Sequence, residues 1–185
     1  MELLSDVVFG NGTSIPGGED ISVLCDKYGF PYYKGGTFKG IFREELTRYL
    51  TWKGIDNIDA EVKRLLGEKG ESSTDESGKL VFSDFQLTDY VKKVVMEEIQ
   101  DDPSEITNSL TNIRTFTKID EDGMTKKGSL RYCRCVNKGL VFFSEIKCDE
   151  KDKELIKDVM LLIKWIGTMR NRGFGKVKIS EVKEV

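Results

Sequence analysis

The sequence predicts an α+β chain with a ferredoxin-like core, the βαββαβ order of RRM-like domains. A β-hairpin is inserted between the middle strands, and a glycine-rich loop precedes the last one. Three observations predict this. KLVFSDFQL (79–87) alternates like a strand, and 2–9, 139–147 and 174–182 are short apolar-rich runs that read as strands. Apolar residues recur three and four apart from Gly35 to about residue 52 and again over 151–166, the period of amphipathic helices. Residues 88–137 then separate the two middle strands and leave room for an insertion.

In chain order, ELLSDVVF (2–9) is the first strand. GNGTSIPGGED follows as a loop, because four glycines and a proline suit no regular element. Short apolar pieces in 20–33 flank a turn at Tyr28-Gly29-Phe30-Pro31. Gly35-Gly36-Thr37 opens the first long helix, with Phe38, Ile41, Phe42, Leu46, Tyr49 and Leu50 on one face. Residues 59–66 suit a short helix, 67–78 a polar surface loop and 88–100 a further helix. Within 106–137, Asp120-Glu121-Asp122-Gly123 is the tip of a hairpin between IRTFTKI and TKKGSLRYCRCV. GLVFFSEIK (139–147) is a strand, KDKELIKDVMLLIKWI (151–166) a helix ended by Gly167, and FGKVKISEV (174–182) the last strand. One domain covers 1–185, with no internal repeat.

The 185 residues are 38% apolar and 33% charged, which is polar but sufficient for a core. Histidine is absent. That excludes a histidine general base, a histidine metal ligand and a Ser-His pair. The net charge of −3 does not suggest a nucleic-acid binder, but its distribution is uneven. Residues 1–26 carry five acidic side chains and no basic one, and 56–105 are also strongly acidic. Residues 27–53 and 111–140 are net basic, and 164–178 hold five basic residues and no acid. Ordinary solvated faces are one reading. Three basic segments gathered on one face, a footprint for a polyanion, are the other. On that reading the acidic stretches lie outside the grip, Asp20 excepted.

Of the four cysteines, Cys133 and Cys135 fall on one face of a strand-like segment, while Cys25 and Cys148 stand apart. Without C-x-x-C spacing they are read as inert thiols rather than a zinc site. No signal peptide or membrane-length apolar run is visible, so a cytoplasmic chain with reduced thiols is expected.

Two glycine-rich stretches carry the chemistry. In Lys34-Gly35-Gly36-Thr37-Phe38-Lys39-Gly40, a helix begins on free N–H groups, with Lys34 and Lys39 beside them and Arg43 one turn on. Such an N-terminus favours a phosphate. The spacing fails the Walker A pattern, which disfavours a nucleotide-hydrolysing enzyme. In Gly167-Thr168-Met169-Arg170-Asn171-Arg172-Gly173-Phe174-Gly175-Lys176, basic residues surround glycines that allow a backbone to approach closely. Arg-x-Gly-aromatic-Gly suits an RNA backbone and a stacked base. A charged helix-to-strand connection is the plainer alternative.

Together, GGEDISVLCDKYGFPYYKGGTFKGIFR, GKLVFSDFQL and IGTMRNRGFGKV resemble, in order, the RAMP superfamily of CRISPR-associated proteins. The likeness is strongest to the repeated backbone subunits of type III effector complexes and vague over 88–137. It implies a chain that polymerises along a CRISPR guide RNA with other copies of itself and other effector subunits. Guide contacts would fall on Lys34, Gly35, Gly36, Thr37, Lys39, Arg43, Arg170, Asn171, Arg172, Gly173, Gly175 and Lys176. The insertion would be a thumb that kinks the guide–target duplex, with Ile113, Phe116 and Met124 as wedge residues. In target-cutting members a loop aspartate after the first strand is required, and the pattern places it at Asp20. That carboxylate would bind Mg²⁺ or another divalent metal, or position a ribose 2′-OH of single-stranded target RNA. Asp26 matches a second aspartate, with a structural hydrogen bond near the turn as its expected role. A catalytically inactive, guide-binding scaffold of the same superfamily is the alternative. A guide-processing nuclease ranks last, because such enzymes often use histidine.

Because one subunit must serve any guide, its contacts are expected on the RNA backbone. Replacing Arg170 and Arg172 together is expected to weaken binding alike for unrelated guide sequences and to flatten its salt dependence. Filter binding across a salt series checks this, and sequence-selective loss would contradict it.

Overall fold

Both edges of the first nine residues find partners, and the rest of the fold is arranged around them. The computed structural model describes residues 1–10, 19–68, 80–99 and 102–179. Most of the glycine-rich loop at 10–20, the polar loop from residue 69 on and the end of the last strand (180–182) fall outside the described residues.

β1 (Glu2–Leu3) pairs antiparallel with β6 (Val177–Lys178), in the register Glu2 opposite Lys178. On its other edge Glu2 bridges Val141 and Val7 bridges Val136. Beyond these, β2 (Val81–Phe82) pairs with β5 (Ile146–Lys147), and Gln86 bridges Phe143. Every one of these pairings is antiparallel. The order across them is 176–178, 2–8, 136–147, 81–86. The architecture is a mixed α/β fold with small antiparallel sheets.

The strand expected at 2–9 is broken. Leu4 and Ser5 both donate to the Lys176 carbonyl, at 2.8 and 3.3 Å. Two residues against one is a bulge, which bends the strand and re-aims the side chains that follow.

α1 (Gly35–Trp52) buries Phe38, Phe42, Leu46 and Leu50 at the helical spacing that predicted it. α5 (Lys153–Leu162) buries Ile156, Val159 and Met160 in the same core. Phe38 lies against Phe85 and Phe82, with ring centroids 4.5 and 5.5 Å apart. Each such buried side chain contributes roughly 1.5–3 kcal/mol. α2 (Ile58–Leu66) ends at Gly67 and adds Val62, Leu65 and Leu66. The last helix is shorter than expected: it stops at Leu162, and Ile163 turns extended (ψ 109°). Trp165 then bridges Lys176, a partnership available to strand-forming residues and absent from a longer helix.

Between β2 and β5 the chain first forms α3 (Asp89–Ile99) and α4 (Pro103–Leu110). Asp102 caps α4 by accepting the Ser104 N–H at 2.8 Å, with Pro103 at the first helical position. β3 (Thr111–Phe116) and β4 (Arg131–Val136) then pair antiparallel across six residues. The stretch 106–110, to which the sequence assigns no element, is helical. Around the tip, Asp120 accepts the Gly123 N–H at 2.9 Å.

Neighbouring residues of a strand face opposite sides. Val7 joins the main core, while Val8 joins a second small cluster with Cys133 and Cys135. Ile21, Phe116, Met169 and Phe174 pack on that cluster. It seats the hairpin base against the first strand and the glycine-rich loop. Among the described residues no helix is long and apolar enough to cross a membrane.

Gly35 and Gly36 separate two roles of glycine. A Cβ on Gly35 would stand 2.3 Å from the Phe82 carbonyl oxygen, whereas one on Gly36 meets nothing within 4 Å. Gly35→Ala is expected to cost roughly 1–3 kcal/mol. Gly36→Ala is expected to be neutral or stabilising by up to about 1 kcal/mol. Urea unfolding of the two variants checks the contrast.

Candidate nucleic-acid interface

The glycine-rich loop lies between α1 and the hairpin base. On one side Arg170 approaches Glu44 of α1 at 4.0 Å. Burial pushes the Tyr33 phenol up, and its ring stacks on Phe9 with centroids 4.7 Å apart. On the other side Phe174 meets Phe116 edge-on at 5.7 Å, and the Arg172 guanidinium covers the Phe116 ring at 5.6 Å. Both glycine-rich stretches and the hairpin base therefore adjoin.

Within this region the predicted residues differ in what they offer. Lys34, Gly36, Thr37, Arg170, Asn171, Arg172, Gly173 and Lys176 are exposed. Gly35 and Gly175 are buried and serve close packing of the backbone. A Cβ on Gly175 would stand 1.9 Å from the Ile166 carbonyl oxygen, and its φ is +81°. The Gly35 N–H donates to the Asp84 carboxylate at 2.8 Å, so part of the α1 N-terminus already faces an anion of its own chain. Arg43 donates to the Leu66 and Gly67 carbonyls at 3.1 and 2.9 Å, which fastens the end of α2 to α1. Burial and the neighbouring Arg43 charge push the half-buried Lys39 amine down. In the hairpin, Ile113 and Met124 are exposed (50% and 69%), whereas Phe116 packs at the base. Asp26 accepts the Tyr28 and Phe30 N–H groups at 2.9 and 3.0 Å, the turn-stabilising role expected of it.

Segment 19–23 runs beside β4. The Asp20 and Ile21 N–H groups donate to the Tyr132 carbonyl, and Ile21 bridges Cys133. This places Asp20 at the base of the hairpin. Its carboxylate accepts the Tyr132 N–H at 2.8 Å and the Arg131 guanidinium at 2.9 Å. The Tyr132 N–H foremost, then Arg131, hold its carboxyl below the ordinary value. Glu19 binds Arg134 beside it at 2.6 Å.

Asp6, which the sequence reading passed over, is the third acid at this base. It accepts Arg114 at 2.7 Å, the Lys138 N–H at 3.1 Å and Asn112 at 3.2 Å. Burial alone would raise its carboxyl; these donors outweigh it and hold the group low. The basic hairpin is thus neutralised by the acidic N-terminal segment. This corrects the expectation that residues 1–26, Asp20 aside, lie outside the basic face. The charge run itself gave no sign of it, since pairing partners lie 108 to 115 residues apart.

Among the described residues no three His, Cys, Asp or Glu side chains cluster as metal ligands do. Both Asp20 oxygens face N–H donors, and Glu19 faces Arg134. As arranged, this donor set does not fit a divalent cation.

The family model described as RAMPs, the RAMP superfamily, matches residues 1–178. Among solved structures, the fold matches a chain of the cryo-EM structure of the Type III-B Cmr-beta bound to cognate target RNA. The TM-score is 0.65 at 13% identity, over 96% of this chain and 93% of that one. It also matches the Cmr-beta apo state, with TM-score 0.69 and 14% identity over 99% and 95% of the two chains. The crystal structure of Cmr6 from Pyrococcus furiosus gives TM-score 0.49 at 16% identity, over 96% and 95%. No curated protein matches the sequence.

Asp6→Asn is expected to lower stability by about 1–3 kcal/mol. The folded Asp6 carboxyl titrates below its ordinary 3.8, so its contribution is complete above that value and disappears as pH falls through the lower folded one. Urea midpoints of wild type and Asp6→Asn are expected to differ at neutral pH and to converge in acid.

Proposed function

This chain belongs to the RAMP superfamily, and from that membership we propose that it is a guide-RNA-binding backbone subunit of a type III CRISPR effector complex. It acts in the cytoplasm, oligomerises on the guide with further subunits, and cuts complementary target RNA at regular intervals. The observation that carries the cutting is the Asp20 carboxylate, docked at the base of a hairpin beside the glycine-rich loop. The antiparallel order 176–178, 2–8, 136–147, 81–86 supports a ferredoxin-like core. The hairpin that leaves it is read as the thumb. Ile113 and Met124 present the exposed apolar side chains of a wedge, and Phe116 anchors the base.

The guide's backbone would meet Lys34, Thr37, Arg170, Asn171, Arg172 and Lys176, with the Gly36 N–H at the positive end of α1. A target nucleotide splayed at the hairpin can bring its 2′-OH in line with the adjacent phosphorus. The O2′–P bond forms as the P–O5′ bond breaks, leaving a 2′,3′-cyclic phosphate and a 5′-OH. Asp20, held ionised, accepts a hydrogen bond from the 2′-OH and orients it. A divalent cation at Asp20 would require the carboxylate to leave Arg131, and no step here is routed through one. The inactive scaffold is the second reading, favoured by the full engagement of both Asp20 oxygens in the free chain.

Asp20→Ala is expected to slow cutting by about 100-fold or more while guide binding is unchanged. Single-turnover cleavage of a labelled complementary RNA by guide-loaded complexes tests it. Cutting at the wild-type rate and spacing would overturn the assignment.

A further inference from the structure

The hairpin presents three arginines to three carboxylates, and they are not equivalent. Arg134 donates to Glu19 at 2.6 Å and to Asn108 and Thr111 at 2.9 Å, which ties it inward to α4 and β3. Arg114 reaches Asp6 with two donors, at 2.7 and 3.3 Å. Arg131 touches Asp20 through one nitrogen at 2.9 Å, and its side chain is 65% exposed. A guanidinium carries five N–H donors in a planar fork. Arg131 therefore holds a carboxylate with one edge while the remainder of its fork faces solvent. Asp20 stays in place if Arg131 shifts, because the Tyr132 N–H binds its other oxygen.

We infer that Arg131 is a second catalytic residue of the cut, one N–H donating to Asp20 and its outward donors meeting the phosphate under attack. The inference rests on the cutting function proposed above. It accounts for how an acidic loop tolerates an RNA phosphate: the pair is neutral, so the carboxylate does not repel the strand it must orient. As the O2′–P bond forms, negative charge builds on the non-bridging oxygens of that phosphate. A guanidinium held beside Asp20 and meeting those oxygens stabilises the transition state more than the ground state. The 2′-OH proton passes to water and the departing O5′ gains one from water, so atoms and charge balance without a further reactant. Arg131 thus supplies at this site the positive charge that its donor set does not recruit from a metal.

The test compares Arg131→Gln and Arg131→Lys with wild type and Asp20→Ala, each loaded with a defined guide. The readouts are guide retention, single-turnover cutting of the complementary RNA, and its pH profile. Arg131→Gln is expected to retain guide but cut about 100- to 1,000-fold more slowly. Arg131→Lys is expected to recover part of the rate, since it keeps the charge and loses the fork. The acid limb in Arg131→Gln is expected to move to higher pH, because Asp20 loses one of the groups that hold it low. The other groups beside Asp20 remain: the Tyr132 N–H and the Cys133 thiol on β4, and Glu19 paired with Arg134. Wild-type rates and an unmoved acid limb in Arg131→Gln, with Asp20→Ala inactive, would overturn this inference and leave the cutting assignment standing. Undiminished cutting by Asp20→Ala, or no cutting by wild type, would remove both.

Discussion

The direction in which the hairpin leaves the core depends on one carboxylate, that of Asp6. The bulge at Leu4 and Ser5 turns the chain so that this side chain stands at the edge of the first strand. There it gathers Arg114 and Asn112 of β3 and the Lys138 N–H after β4. Its own carbonyl accepts the Gly175 N–H at 2.8 Å, so the glycine-rich loop is tied to the same residue. A partly buried charge with several donors is expensive to leave half-paired. The hairpin base, first strand and loop are therefore held in one arrangement.

The second small core makes that arrangement rigid. Val8, Cys133 and Cys135 are fully enclosed, with Phe116, Met169 and Phe174 closing over them. The buried thiols take part in packing, which suits the short side chain of cysteine on a crowded strand face. Above this core the acidic segment meets the basic hairpin pair by pair. Local neutralisation explains how a chain of net charge −3 presents cationic groups at the surface. Arg170, Arg172, Lys34 and Lys176 stay exposed, while Arg114 and Arg134 are committed to carboxylates.

Much of this was legible in the sequence where it depends on periodicity. α1 followed from the spacing of Phe38, Phe42, Leu46 and Leu50, and the shared face of Cys133 and Cys135 followed from strand alternation. The end of α5 was not legible, because Ile163 and Ile166 fit a helical stripe as well as an extended segment. Only the partnership of Trp165 with Lys176 decides between them. Gly35 and Gly175 drew attention as phosphate-cradling residues, yet both are required by close backbone contact within the protein. Composition cannot separate these demands, since each calls for a residue without a Cβ. Asp6 and Arg131 were missed for a different reason: an ion pair spanning more than a hundred positions leaves no local pattern.

On the proposed function, the Asp20 carboxylate at the hairpin base directs the RNA's own 2′-OH against the neighbouring phosphate. The chemistry of the cut ends tests it most directly. Guide-loaded wild-type complexes are given a complementary RNA, and the new termini are identified by mass spectrometry and by phosphatase and kinase sensitivity. A 2′,3′-cyclic phosphate with a 5′-OH is the predicted result. A 3′-OH with a 5′-phosphate would mean that water, not the ribose, is the nucleophile, and would overturn the role proposed for Asp20.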